Sequence, residues 1–125
     1  MTAETPAPFD SEHIETVASE RAVEAASLTD ALATHQQSVE DLPGIENIVY
    51  EWRKQYEDPL LARTESAYYL AVPETVWAEF GDALDFDDEM RDAVIEVHRR
   101  TVVSVTDSAT KPADGITYIV LDRTR

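Results

Sequence analysis

Ser66-Ala67-Tyr68-Tyr69-Leu70-Ala71-Val72 is an apolar run rich in aromatic residues and closed by Pro73, the signature of a strand. Pro73 suits the first turn of a following helix, and Val76, Trp77, Phe80 and Leu84 supply that helix with a buried stripe. Asp85 or Asp87 then caps a helix carrying Met90, Ala93, Val94 and Val97. Thr101 to Thr106 is a β-branched run that suits a strand, while Thr101, Ser104 and Val105 continue the helical register; the two readings stand open, with the helix expected to run to about residue 104. Gly115-Ile116-Thr117-Tyr118-Ile119-Val120-Leu121 reads as a second strand, antiparallel to the first.

Upstream of these elements the pattern is helical. Asp10 or Ser11 caps a helix over 11–25 with Ile14, Val17, Ala18, Ala22 and Ala25 roughly on one side. Ser27 opens a better one, in which Leu28, Leu32, His35, Val39 and Leu42 form a single seam. Pro43-Gly44 breaks it, and Ile45, Ile48, Val49, Trp52 and Tyr56 stripe the next helix before Asp58-Pro59. Residues 60–64 read as a connector, 108–115 as a turn-rich loop and 1–10 as a frayed, disordered tail. The expected architecture is therefore α+β: about five helices covering one face of a small antiparallel sheet, with strands near 66–72 and 115–121. Residues 11–125 form one domain.

Composition narrows the function classes. The chain has 125 residues, of which 43% are hydrophobic, enough for one ordinary core. With no Cys, disulfides, thiolate zinc sites and a cysteine nucleophile are excluded. No apolar run approaches the roughly 20 residues that cross a bilayer, and the start lacks a signal-peptide pattern; a cytoplasmic protein without a membrane partner is expected.

The formal net charge is −16, from 26 Asp+Glu against 10 Lys+Arg. Only Lys54 and Lys111 are lysines. Few lysines, abundant carboxylates and a core leaning on Ala and Val are similar to the composition of haloarchaeal proteins. In about 1 M salt the Debye length falls to roughly 3 Å and surface carboxylates cease to repel strongly, so a salt-requiring fold with loosely bound cations is expected.

A sequence resemblance adds to this. Ala67-Tyr68-Tyr69-Leu70-Ala71-Val72, Pro73-Glu74-x-Val76-Trp77-x-Glu79-Phe80 and Asp85-Phe86-Asp87-Asp88 precede a helix ending Val97-His98, with Tyr50-Glu51-Trp52-Arg53 upstream. This pattern resembles small acidic haloarchaeal proteins that carry only domain-of-unknown-function labels. The resemblance covers about half the chain and implies a halophilic cytoplasmic protein, with no activity attached.

Few residues point to chemistry. Asp82, Asp85, Asp87, Asp88 and Glu89 echo a calcium loop, but Met90 stands where such a loop needs glycine, and carboxylates at a helix N-terminus explain the cluster. Three isolated histidines without metal-ligand spacing give no metal site. No nucleophile elbow, phosphate loop or dinucleotide motif is present, so no catalytic residue and no cofactor are assigned.

His35 sits on the Leu28, Leu32, Val39 seam. It reads either as a core histidine bonded to a neighbour or as a pH-sensitive residue at a helix interface. His98, Arg99 and Arg100, with Arg91 on the same helix, read as a cationic helix end or as an anion pocket. Trp52-Arg53-Lys54-Gln55-Tyr56 interleaves aromatic and basic residues, yet residues 28–42 carry no base, so nucleic acid is not the expected partner.

The leading expectation is a non-enzymatic interaction or regulatory domain, with a protein partner or a homodimer formed through helices 28–42 and 45–57. The alternative is a binder or enzyme using His98, Arg99, Arg100 and Arg91 on a small anion such as a phosphorylated metabolite. A lower alternative is an accessory DNA- or transcription-associated factor acting through the near-neutral residues 91–125.

Overall fold

A computed structural model describes residues 9–41, 44–106 and 112–123. The chain runs α1 (Ser11–Arg21), α2 (Ala25–Asp41), α3 (Ile45–Gln55), β1 (Leu60–Arg63), β2 (Ala67–Pro73), α4 (Glu74–Ala83), α5 (Asp88–Thr106) and β3 (Ile116–Asp122). Five helices thus pack against a three-stranded antiparallel sheet of order β1-β2-β3, an α+β arrangement.

Local chemistry sets most boundaries. Asp10 caps α1, its side chain accepting from the Glu12 amide at 2.9 Å. Asp87 does the same for α5, accepting from the Met90 amide at 2.8 Å. α1 stops at Arg21, short of the expected residue 25, because Ala22 turns left-handed with φ 57°. The next helix starts at Ala25, ahead of the expected Ser27 cap, and the Glu24 carbonyl accepts from Leu28 N–H at 2.9 Å. α5 runs on to Thr106, past residue 104, and the hydroxyls of Thr101 and Thr106 bond back to the carbonyls four residues earlier.

The connector expected over 60–64 is instead β1, paired with β2 through Ala62↔Tyr69 and Arg63↔Tyr68. Both faces of the sheet are covered, not one. Successive side chains in a strand point to opposite faces, yet Ala67, Tyr68, Tyr69 and Leu70 are all buried, as are Thr117 to Asp122. α5 packs on β3 and β2, and α1 and α2 pack on α5. Phe9, within the expected tail, is buried against the His98 ring. The rest of that tail up to residue 8, together with Leu42 and residues 107–111, lies outside the described residues.

An exposed sheet edge offers unpaired peptide groups to other chains, and the two edges are guarded differently. β1 is four residues long, its register is irregular between Leu60 and Ala62, and it ends in Arg63. β3 is sealed by side chains. The Gln36 amide donates to the Val120 carbonyl at 2.7 Å and accepts from the Asp122 amide at 2.8 Å. His98 Nδ1 accepts from the Val120 amide at 2.9 Å, and Trp77 Nε1 donates to the Tyr118 carbonyl at 3.1 Å. Three helices thereby supply the hydrogen bonds a fourth strand would make.

Candidate functional site

The four cationic candidates share α5 but not one pocket. His98 turns inward and is fully buried. Arg99 and Arg100, on the next two positions, turn outward and both clamp Glu96, each through its Nε at 2.8 Å. Arg100 also reaches Glu20 on α1 at 2.6 Å. The Arg99 hydrogen bond, with that from Arg100, holds the Glu96 carboxyl down to about 2 against its burial. Arg91 lies 3.5 Å from both Asp88 and Asp92. Its stem crosses α4 at Gly81, where a Cβ would stand 3.1 Å from Arg91 Cδ. Arg91 and Arg99 line a groove of about 490 Å³ with Glu74, Asp92, Trp77 and Ile95, so its cations are matched by acids.

The seam residues Leu28, Leu32, His35 and Val39 lie in the chain's own core, each at most 1% exposed. There His35 meets His98 with ring centroids 5.3 Å apart, and Trp77 stands 4.6 Å from the first ring and 4.7 Å from the second. Phe80 closes the box edge-on to His35 at 4.4 Å. Because His98 Nδ1 accepts a hydrogen bond, its proton resides on Nε2. That Nε2 and both His35 nitrogens are buried without a hydrogen-bond partner among the described residues. Burial lowers His35 to about 3, and burial with the neighbouring His35 charge holds His98 well below its ordinary value. Both rings are therefore neutral at pH 7. Among the described residues no group of three or more His, Asp or Glu is placed to hold a metal ion, and no helix is long and apolar enough to cross a membrane.

A second cleft, of about 250 Å³, lies between α3 and the sheet. Glu46, Val49, Tyr50 and Arg53 line it from α3, a spacing that puts all four on one helical face. Leu60 and Arg63 come from β1 and Tyr68 from β2, with Arg63 directly across from Tyr68 in the ladder. The Tyr68 hydroxyl donates to Glu46 at 2.5 Å, and burial followed by this bond raises the phenol above its ordinary value. Arg123 stacks over the Tyr68 ring at 4.7 Å, sits 3.7 Å from Glu46 and donates to the Thr64 carbonyl at 2.6 Å. The Arg53 and Arg63 side chains have no hydrogen-bond or ion-pair partner among the described residues.

Sequence reading missed this cleft. Arg53 carries no signal in the sequence beyond the Tyr50–Arg53 and Trp52–Tyr56 stretches, and Arg63 lies in the expected connector over 60–64.

Residues 7–123 match the family described as Domain of unknown function (DUF8048). The chain belongs to the DUF8048 family. No curated protein and no solved structure matches it. The DUF8048 match spans every described element, so the guarded edge strand, the histidine box and the α3–sheet cleft all fall within the family domain.

Proposed function

We propose that this DUF8048 domain is a non-enzymatic binding domain, of regulatory type, whose working face is the α3–sheet cleft and whose ligand presents an anion. One observation carries the reading: two uncommitted guanidiniums, Arg53 and Arg63, converge on one cleft in a chain of net charge −16. Of the seven described arginines, Arg91, Arg99, Arg100 and Arg123 meet carboxylates, whereas Arg53 and Arg63 do not and share one cleft. A fork of N–H donors in that state is matched to an incoming carboxylate or phosphate.

The larger groove supports this use less well. Its Arg91 and Arg99 are already engaged by Asp88, Asp92 and Glu96, and an arriving anion has to displace them and face Glu74. His98 cannot serve an anion there without leaving the core. Thermal-shift measurement against acetate and inorganic phosphate tests the reading. The wild type and an Arg91→Ala control are expected to be stabilised, and an Arg53→Ala/Arg63→Ala double variant is not. Equal stabilisation of all three proteins contradicts it.

The surface carboxylates belong to a second part of the proposal: an adaptation to concentrated salt in a cytoplasm of haloarchaeal type. High salt removes the long reach of their repulsion while leaving short-range, bidentate recognition in the cleft to operate.

A further inference from the structure

Resting on the proposed anion-binding role of the α3–sheet cleft, we propose that its ligand is a small phosphomonoester dianion. The charge balance comes first. Glu46, Arg53 and Arg63 line the cleft and Arg123 adjoins it. Glu46 is the internal counterion of Arg123 and accepts the Tyr68 hydroxyl, so the positive charge left over is that of Arg53 and Arg63. A dianion neutralises that pair; a monocarboxylate leaves one cation exposed.

Geometry gives the same answer. The two guanidiniums come from different elements, α3 and β1. A planar carboxylate presents two oxygens in one plane and is satisfied by one bidentate fork. A tetrahedral phosphate monoester has three terminal oxygens and accepts from forks arriving from two directions. Glu46, held by Arg123 and the Tyr68 hydroxyl, leaves both arginines to the ligand.

Size limits the organic part. At about 30 Å³ for each water-sized group, a cleft of about 250 Å³ houses a phosphate with a short chain, and the nucleoside part of a nucleotide would extend into solvent without contacts there. Val49 and Leu60 give that chain an apolar wall.

Isothermal titration of the full chain in about 1 M KCl, where long-range attraction is screened, tests this with acetate, inorganic phosphate, glycerol phosphate and AMP. Both phosphate and glycerol phosphate are expected to bind at least about tenfold more tightly than acetate. Arg53→Ala and Arg63→Ala, both at exposed positions and checked by circular dichroism, each weaken glycerol phosphate by about tenfold. Acetate binding as well as phosphate overturns the ligand class while the anion-binding role stands. AMP binding more tightly than glycerol phosphate overturns the size limit. Failure of every anion to bind overturns the role itself.

Discussion

The side-chain amide of Gln36, on α2, stands in for a strand beside Val120, donating to its carbonyl at 2.7 Å while accepting from the Asp122 amide at 2.8 Å. Both bonds are buried. Gln36→Leu keeps the volume and orphans two peptide groups, each costing about 1–3 kcal/mol. Chemical denaturation is expected to show a loss of roughly 2–5 kcal/mol, with slower folding aggregates appearing as the β3 edge opens. A loss under about 1 kcal/mol means that the edge is sealed by other groups.

Acid should unfold the protein through its histidine box. His35 is lowered to about 3 in the folded chain from an ordinary value of 6.5, so between those values the unfolded chain binds more protons. Stability is complete above about pH 6.5 and falls as the pH drops through that window. His35 alone removes on the order of 3 kcal/mol by about pH 4. His98 and Glu96 act in the same direction, the latter losing its contribution as the pH falls from 4.5 to about 2. His35→Leu removes one proton from the acid limb and two unpartnered nitrogens from the core. Its stability at pH 7 is expected to stay within about 1 kcal/mol of wild type, with a shallower decline below pH 6. An unchanged acid limb contradicts this account.

Ala22 ends α1 with φ 57°, a left-handed conformation that costs a residue with a Cβ about 1–2 kcal/mol. Ala22→Gly relieves it. The unfolding midpoint is expected to rise by an amount equivalent to about 0.5–1 kcal/mol; a lower midpoint means that the turn is not the end of the helix.

Salt should raise stability steeply at first. Repulsion among the carboxylates reaches over about 10 Å at 0.1 M ionic strength and about 3 Å at 1 M. The thermal midpoint is expected to climb between dilute buffer and about 1 M KCl and then to flatten. A midpoint independent of salt over that range removes the proposed adaptation to brine.

Much of the fold was legible because its signals are local. The apolar run before Pro73 and that from Ile116 to Leu121 carry their own pattern, and the candidate caps at Asp10 or Ser11 and at Asp85 or Asp87 mark helix starts that Asp10 and Asp87 make. β1 was not legible: Leu60 to Arg63 has no distinctive run of its own, and only pairing with Tyr68 and Tyr69 makes it a strand. The coverage of both faces was written in the uninterrupted burial of β2 and β3, whose unalternating apolar runs were the available clue. His98 stands next to Arg99 and Arg100 in sequence, and helical phase sends it into the core while they stay outside. Gln36 gave no signal beyond its place next to His35. Arg53 and Arg63 are ten positions apart on different elements, so their convergence is a property of tertiary structure that no spacing rule contains.

The central claim is that an anion settles between Arg53 and Arg63. Amide and arginine side-chain NMR shifts recorded during titration with inorganic phosphate test it most directly. Saturable shifts are predicted at Glu46, Tyr50, Arg53, Arg63 and Tyr68, with the Arg91 and Arg99 signals unmoved. Shifts confined to the Arg91–Arg99 groove, or shifts that grow without saturating across the whole surface, would contradict it.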